Sequence, residues 1–353
     1  MIFIDTPRRV SPSSFTTNEL YTIAVTRHEK SKSSLLILRN AKFTMVHQIA
    51  SDTNIPVTSP SFVPRGAGTP PVWNYDIAFS RNRGLISSEE QERLRNCRVA
   101  IAGMGGVGGE HLITLTRMGI GKFTIADPDQ FEVANFNRQY GGTQRSVNKN
   151  KAEAMAKEAL DINPELDIRV ITKPVTASNV DQFLDGADLF VDAIDAFVVD
   201  ARRITFTAAR DKQIPAISAG PVGFSTVWLT FDPSGMSFDE YFDLQDEDPP
   251  EIQKFKFLAG MVPSLLHRSY LDSSHVSIRE NRGPSVCPAC KLAAGVLAIE
   301  SLKLLLGRGH VRMAPTYHQY DAYRQRLVKK KLWLGNRNPI QKLKLWWLKQ
   351  IIS

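Results

Sequence analysis

The sequence predicts an α/β fold, a doubly wound and mainly parallel sheet with helices on both faces. Short apolar runs that end in glycine or aspartate, such as CRVAIAG and LFVDAID, alternate along the chain with segments of helical periodicity. Buried parallel strands consist of continuous apolar runs, and strands that alternate with helices favour a parallel sheet covered on both sides.

The predicted elements follow in a regular order from residue 85. In LISSEEQERLRN, Ser87 or Ser88 precedes acidic first-turn residues, which predicts a helix start. The strand CRVAIAG, the helix HLITLTRMGIG and the strand KFTIADPD then form one βαβ unit. The later predicted elements are a helix over 150–162, strand DIRVITKP, a helix over 178–184, strand LFVDAID, helix ARRITFTAARD, strands IPAISAG and FSTVWLTFDP, and a helix over 291–306. The acidic segment FDEYFDLQDEDPPE predicts a loop or crossover before that last helix.

Composition divides the chain into three parts. Residues 1–72 carry scattered Ser, Thr and Pro, and they predict a leader or a small β-rich module. Residues 73–310 hold the alternating pattern, with a crossover region over 231–290. Residues 311–353 form a basic segment for which we expect an amphipathic helical tail.

The overall composition limits the class of protein. The 353 residues, 42% of them hydrophobic, suffice for one large α/β core with appendages. No stretch approaches the roughly 18 to 20 uninterrupted apolar residues of a membrane-spanning helix, and the first residues lack the order of a secretory signal, so the sequence predicts a cytoplasmic protein. The net charge of +8 is concentrated in residues 311–353, which hold ten Lys/Arg against the single acid Asp321. Any preference for an anionic partner therefore belongs to that segment.

A glycine motif lies between the first predicted strand and the helix that follows. Gly103, Gly105 and Gly108 fit G-x-G-x-x-G, with Gly106 inside the motif. Glycines there permit a tight turn and let a helix N-terminus approach a phosphate closely. Asp127 ends the second predicted strand, where a carboxylate can accept hydrogen bonds from a ribose. Taken alone, these features fit NAD, FAD, SAM or ATP.

The segment after the second strand narrows that choice. Residues 127–139, DPDQFEVANFNRQ, resemble the pattern D-x-D-x-V-x-x-S-N-x-x-R-Q of the ThiF/MoeB/HesA and ubiquitin-activating superfamily, with Ala134 where serine is common. KNKAEAM, INPE and DAID follow in the family's order and spacing, so the resemblance covers about residues 79–230. GIGKFTIAD, NFNRQ, KAEAMA and VDAID are particularly similar to the tRNA threonylcarbamoyladenosine dehydratase branch.

The resemblance implies a Rossmann-like adenylation domain that uses ATP and Mg²⁺, and it implies a role for each matching residue. Arg138 and Lys151 would hold the phosphates, and Asp195 would bind or position Mg²⁺, although Ala196 replaces the family's usual asparagine. The other implied nucleotide-binding residues are Gly103, Gly105, Gly106, Gly108, Asp127, Asp129 and Asn135.

The resemblance also implies an arginine that precedes the first strand and reaches into a partner subunit's site. Arg81 and Arg83 are the candidates, and we prefer Arg83 because it directly precedes the Gly-Leu run. A solvated surface position is the alternative for either arginine. The assignment implies a homodimer.

The three cysteines bear on two further functions. Members of the family that form a thioester carry a cysteine in the crossover, and this chain has none between Gly220 and Arg282. Cys97 precedes a buried strand, where a thiol is expected to be inert. Cys287 and Cys290 have the spacing of half a tetrahedral Zn²⁺ site, but the second pair of the family is absent. A remnant of that site, or a redox-sensitive dithiol that caps the next helix, is the alternative.

The sequence therefore predicts ATP-dependent adenylation of a carboxylate, giving an acyl adenylate and pyrophosphate. The acid is the C-terminus of a ubiquitin-like or sulfur-carrier protein, a peptide or a small molecule. The alternatives are a dehydratase-like cyclisation on tRNA, a non-catalytic nucleotide-binding partner subunit, and an NAD-linked oxidoreductase that rests on the glycine motif alone.

The end of the chain, NPIQKLKLWWLKQIIS, places Ile340, Leu343, Trp347 and Ile351 on one helical face, with Lys342 and Lys349 opposite and Lys344 interrupting the apolar side. Such a helix closes against the protein's own core, docks on a partner or contacts a membrane surface. The lysine run 329–331 offers phosphate-backbone binding as a further alternative.

Overall fold

The computed structural model describes residues 72–352, with the side chains of the last helix described as far as Trp347. The prediction for the leader, 1–72, lies outside the described residues except for Val72. The helices are α1 (Tyr75–Ala78), α2 (Ser88–Asn96), α3 (Gly108–Arg117), α4 (Lys151–Ile162), α5 (Val180–Phe183), α6 (Val199–Asp211), α7 (Phe238–Phe242), α8 (Pro250–Met261), α9 (Cys287–Leu306) and α10 (Pro339–Ile352). The strands are β1 (Arg98–Ala102), β2 (Lys122–Ala126), β3 (Asp167–Ile171), β4 (Leu189–Asp192), β5 (Ala216–Val222), β6 (Ser225–Phe231), β7 (Thr316–Asp321) and β8 (Arg326–Lys331).

All eight strands form one sheet in the order β3-β2-β1-β4-β5-β6-β7-β8. The pairs from β3 to β5 are parallel, whereas β6, β7 and β8 are joined by antiparallel pairs. The carboxyl ends of β1, β2 and β4 lie side by side along one edge of the sheet, and the loops that leave this edge carry the predicted site residues. In doubly wound folds ligands bind at this edge.

Two hydrophobic cores cover the two faces of the sheet. One includes Leu94 of α2, Leu112 of α3, Met155 of α4 and Leu297 of α9. The other contains the aromatic side chains of α5 to α8 and the opposite face of the sheet. The predicted α/β class, with helices on both faces, is confirmed.

The acidic stretch predicted as a loop or crossover contains α7 and the first residues of α8. Ser237 caps α7 and completes a capping box with Glu240, while Pro250 occupies the first turn of α8. Proline is favoured in the first helical turn because its missing N–H has no partner there in any case. The many acidic residues of this stretch lie in first turns and connecting loops.

The C-terminal segment differs from the predicted helical tail. Residues 72–352 lie in one compact unit, and residues 316–331 supply β7 and β8 to the sheet. Only α10, from Pro339, has the predicted helical form. The helix contacts the rest of the fold through polar side chains: the Gln341 amide donates to the Ala259 carbonyl at 3.2 Å, and Lys344 Nζ donates to the Pro263 carbonyl at 2.9 Å.

The apolar positions of α10 are divided between contact and solvent. Trp347 stacks against the Arg268 guanidinium at 4.1 Å, whereas Ile340 is 68% and Leu343 65% exposed. The predicted positions of Lys349 and Ile351 lie beyond the described side chains. Among the described helices, none combines the length and the apolarity required to cross a bilayer.

Candidate active site

The glycine loop leaves the carboxyl end of β1 and opens helix α3. Gly103 has a φ of +96°, and a Cβ there would collide with the Ala193 carbonyl oxygen. A Cβ on Gly108 would collide with the Gly103 carbonyl oxygen. Because both collisions are with backbone atoms, which cannot rotate away, only glycine fits at these two positions.

The remaining glycines of the loop face side chains of the predicted site. A Cβ built on Gly105 would lie 3.7 Å from Gln139 Nε2, and one on Gly106 would lie 3.9 Å from Arg138 Cγ. No side chain caps the start of α3. The Gly109 N–H donates to the Gly105 carbonyl at 3.4 Å, and the other N–H groups at the start of this helix can face an anion beside Arg138 and Gln139.

Asp127 holds the glycine loop in place. Its Oδ2 accepts the Met104 N–H at 2.6 Å, and its Oδ1 accepts the Asp129 N–H at 2.8 Å. Burial raises the pKa of this carboxyl group. Asp127 thus has a structural task that the sequence analysis did not predict, and its implied contact with a ribose stays a prediction.

Lys151 lies at the same edge, at the first position of α4. The Lys151 side chain is 9% exposed and its Nζ contacts Asp129 Oδ2 at 3.0 Å, while the Asp129 side chain remains 66% exposed. The Asn150 amide donates to the Asp127 carbonyl at 3.0 Å. A cation placed on the first turn of a helix gains nothing from the helix dipole, so its position favours a role toward an anion.

Asn135, Arg138 and Gln139 lie in the turn that follows β2. Asn135 Oδ1 accepts the Glu132 N–H at 3.0 Å, and this contact shapes the turn. Arg138 Nη1 donates to the Ala134 carbonyl and to Asn137 Oδ1, both at 3.0 Å. Within the described part of the chain no carboxylate pairs with Arg138, so its charge remains available to a phosphate.

The sequence analysis named Gln139 only as part of the motif and assigned it no role. In the structure its side chain is buried beside the glycine loop. The side chain is 7% exposed, and its Oε1 has no hydrogen-bond partner among the described residues. A buried amide oxygen without a partner costs about 1–3 kcal/mol. Its position beside Gly105 suits a side chain that finds its partner in a bound ligand.

The β4 end contributes a buried ion pair and an exposed carboxylate. Asp192 is 2% exposed and accepts from Arg202 Nε at 3.0 Å and from Ser218 Oγ at 2.7 Å. Arg202 also donates to the Asp195 carbonyl at 2.6 Å and stacks on Phe257 at 4.3 Å. The loop is thus folded around the guanidinium group, which leaves the Asp195 side chain exposed at the site edge. No sequence signal singled out Arg202.

The start of α9 closes the site from the crossover side. A Cβ on Gly106 would lie 3.4 Å from Cys290 Sγ, and the Asn137 amide donates to the Ser285 carbonyl at 3.0 Å. Lys291 pairs with the nearly buried Glu110 at 2.9 Å, and this hydrogen bond raises the pKa of Lys291.

The thiols of this region lack the features of a metal site. Burial raises the pKa of Cys290 to about 11, which disfavours the thiolate form that binds metals and attacks acyl groups. Within residues 72–352 no group of three or more His, Cys, Asp or Glu side chains is placed to hold a metal ion, so Cys287 and Cys290 have no third ligand there. Burial likewise raises the pKa of Cys97 to about 11, as expected for an inert thiol.

Arg83 lies away from the glycine loop of its own chain. It faces Asp76 at 3.7 Å, and the neighbouring Asn82 amide donates to the Met118 carbonyl at 3.3 Å, just past the C-terminal end of α3. The glycine loop is at the other end of that helix, about 15 Å away at 1.5 Å per residue. A role for Arg83 in nucleotide binding therefore requires a second copy of the chain, and it stays a prediction.

Comparison with known proteins finds relatives among tRNA-modifying dehydratases and adenylyltransferases. The chain is 28% identical over 204 residues to the tRNA threonylcarbamoyladenosine dehydratase of Bacillus subtilis, covering 58% of this chain and 78% of that protein. It is 33% identical to the dehydratase of Escherichia coli over 41% of this chain and 54% of that protein. It is 34% identical to the sulfur carrier protein ThiS adenylyltransferase of B. subtilis over 41% of this chain and 43% of that protein. The chain thus spans only about half the length of the last two relatives.

Solved structures share the fold at low sequence identity. PaaA superposes with a TM-score of 0.57 at 21% identity, covering 76% of this chain and 86% of that one. E. coli MccB, solved with MccA-N7isoASN, gives a TM-score of 0.54 at 20% identity, covering 70% and 66%. The model of the ThiF family matches residues 79–341, from before the first strand into the last helix, and this protein therefore belongs to the ThiF family.

Proposed function

We propose that this protein uses ATP to adenylate a carboxylate, releasing pyrophosphate. The observation that carries the proposal is the meeting of three features that suit an anion at one sheet edge: the start of α3, which no side chain caps, Arg138, which pairs with no carboxylate among the described residues, and the nearly buried Lys151. A hydride-transferring enzyme needs no such set of cations beyond its second strand. The carboxylate exposed at Asp195 supplies the ligand type that Mg²⁺ prefers.

The residues suit the charge changes of the reaction. A carboxylate oxygen of the substrate attacks the α-phosphorus of ATP, the bond between the α-phosphorus and the bridging oxygen breaks, and the electron pair leaves with pyrophosphate. Negative charge grows on the phosphates, where Arg138, Lys151 and the N–H groups of α3 would stabilise it. When bound, Mg²⁺ supplies further neutralisation of the leaving group.

The test is substrate-dependent exchange of labelled pyrophosphate into ATP. Small acids, peptides, carrier-protein tails and bulk tRNA are supplied as separate pools, with ATP binding measured in parallel. Exchange that depends on one pool supports adenylation and identifies the class of acid. ATP binding without exchange in any pool would contradict catalysis and favour a nucleotide-binding partner subunit.

A second candidate is a dehydratase-like cyclisation on tRNA. Its support is the similarity to the two dehydratases, together with the lack of a cysteine between Gly220 and Arg282 to accept an acyl group. In this reaction an internal nitrogen displaces AMP from the adenylate, so the substrate loses one water overall. Mass spectrometry of nucleosides from tRNA incubated with protein and ATP distinguishes the candidates, because simple adenylation leaves no modified nucleoside shortened by one water.

The proposal includes a homodimer in which Arg83 reaches the partner's nucleotide. Arg83→Ala is then expected to weaken ATP binding although it lies outside the site of its own chain. Mixing Arg83→Ala protein with inactive Arg138→Ala protein tests this arrangement, because mixed dimers would regain one complete site. Failure of the mixture to regain exchange, with subunit mixing confirmed, would contradict the assignment of Arg83.

A further inference from the structure

The outward side of α10 is an exposed apolar surface that the proposed function does not use. Ile340 is 68%, Leu343 65% and Trp346 62% exposed. Spacings of three residues place these side chains on one side of the helix, and Lys342, one turn before Trp346, borders them. These three side chains thus form an apolar strip that extends about 9 Å along the helix, at 1.5 Å per residue, and faces solvent.

The apolar side faces outward because the polar side holds the helix to the fold. Gln341 is 2% exposed, and its amide bonds the Ala259 carbonyl in the last turn of α8. Lys344 donates to the Pro263 carbonyl just beyond that turn. Carbonyl groups at a helix end lack partners within the helix, so these two donors satisfy groups that would otherwise be unpaired. The orientation of α10 is therefore fixed by hydrogen bonds, with the apolar strip directed away from the domain.

The charge of the same region identifies the chemistry of the missing contact. Residues 322–353 contain nine Lys/Arg and no acidic residue, and the side chains of Arg326, Lys329, Lys330, Lys331 and Lys342 are exposed. An RNA backbone would match these cations but would leave isoleucine and leucine in water. An apolar protein groove would match the strip but not the uncompensated charge. An anionic bilayer matches both, since it offers an apolar interior beneath a negative surface.

We propose that α10 docks this protein on anionic membrane surfaces, with Ile340, Leu343 and Trp346 inserted at the level of the headgroups and the lysines in contact with the lipid phosphates. Tryptophan favours that level because its ring is apolar and its N–H is polar. The helix lies in the interface, consistent with the observation that no described helix suits a membrane span. The proposal is independent of the adenylation site.

The test is flotation of the full chain with vesicles of phosphatidylcholine and with vesicles of equimolar phosphatidylcholine and phosphatidylserine. Wild-type protein is expected to float only with the anionic vesicles, and less as salt increases. Leu343→Ser/Trp346→Ser is expected to weaken binding at least tenfold. The matched control is Ile77→Ser/Leu85→Ser, which removes two side chains of 74% and 80% exposure from another region and should bind as wild type does.

Further measurements separate a lost surface from a lost fold or a different occupant. Unfolding midpoints should agree among wild type and both variants, and pyrophosphate exchange should be unchanged in the α10 variant. Quenching of tryptophan fluorescence by brominated lipid should fall more in Trp346→Phe than in Trp333→Phe. Equal flotation of the α10 variant, or no flotation of wild type, would overturn the proposal. So would light scattering that shows a dimer in wild type and a monomer in the α10 variant, because a second copy would then cover the strip.

Discussion

Charged side chains are buried in ion pairs in the parallel part of the fold and exposed to solvent in the antiparallel part. At the parallel end, Arg202 and Asp192 are both almost fully buried and bond each other, and Lys151 contacts Asp129. At the antiparallel end, the cations of β8 and α10 are exposed beside exposed apolar side chains. The first arrangement fixes backbone for a small ligand, whereas the second leaves side chains free for a large surface. Substitutions at the parallel end should therefore affect folding and chemistry, and those at the other end mainly association.

The largest effect is expected from Gly103→Ala. The φ of +96° and the collision with the Ala193 carbonyl require the loop to move, so ATP binding should be lost and the midpoint of unfolding should fall. Gly105→Ala is the matched control, because its Cβ would meet nothing closer than 3.7 Å and the fold should be retained. Calorimetry with ATP measures both. Wild-type binding in Gly103→Ala would show that the loop is not the nucleotide site.

Arg202→Ala should destabilise the protein by about 3–5 kcal/mol, because it leaves the buried Asp192 carboxylate without its cation. Arg169→Ala is the control. Arg169 and Asp185 form an exposed pair at 2.8 Å, whose loss should cost no more than about 1 kcal/mol. Urea unfolding of the two variants measures the difference. Equal losses would contradict the contrast between the buried and the exposed ion pair.

Arg138→Ala and Asp195→Ala should each lower the adenylation rate by about 100-fold or more, since each removes a group that acts on developing charge. Both side chains leave loops at the carboxyl edge of the sheet, so the unfolding free energy should hardly change. Arg145→Ala, which removes an exposed arginine from the same segment, is the control and should retain activity. Undiminished exchange in either purified variant would remove the role assigned to that residue.

The parallel half of the fold could be predicted from the sequence because burial of its strands and the conformation of its tight turns restrict which residues can occupy them. Strand β1 is buried along its whole length and is apolar after Arg98, and Gly103 and Gly108 mark two positions that only glycine fits. Strands β7 and β8 escaped prediction because TYHQYD and RLVKKK are polar, and lysine is common on an exposed edge strand, where it discourages further pairing. Their assignment depends on the pairing of β7 with β6 and of β8 with β7, and the first of these is a contact between distant parts of the chain.

In the candidate site, too, some residues could be predicted from local sequence patterns and others could not. Arg138, Lys151 and Asp195 were selected because they belong to a motif of fixed spacing, and all three follow strand ends at the carboxyl edge of the sheet, but their roles stay predictions. Arg202 was missed because an arginine within an ordinary helix carries no local sign that it will bond a carboxylate ten residues earlier. In α10, periodicity alone suggests that leucine and isoleucine point inward, but hydrogen bonds to unpaired carbonyls turn Gln341 and Lys344 inward instead.

Each half of the fold contains a buried histidine, and acid should therefore lower the stability of both halves. Burial lowers the pKa of His111, in α3, and that of His267, near β7, from 6.5 to about 4. As pH falls, these histidines therefore take up protons in the unfolded chain before they do so in the folded protein. Their contribution to the free energy of unfolding is complete above pH 6.5 and is lost progressively down to about pH 4. Each histidine contributes a loss on the order of 3 kcal/mol. His111→Gln should flatten this dependence of the unfolding free energy, whereas His275→Asn, at an exposed position, should not.

The smallest effect is expected from Cys287→Ser. Cys287 is half-buried in the first turn of α9, next to a site whose assigned groups are cationic side chains and backbone N–H groups, so serine should leave pyrophosphate exchange within about twofold of wild type. The contrast with Arg138→Ala would then show that charge and not thiol chemistry drives the first half-reaction. A large loss of exchange in Cys287→Ser, with unfolding unchanged, would instead mean that the thiol takes part. The thiol would then act in the adenylation step itself, because a thioester forms only later, when a thiolate displaces AMP from the acyl adenylate.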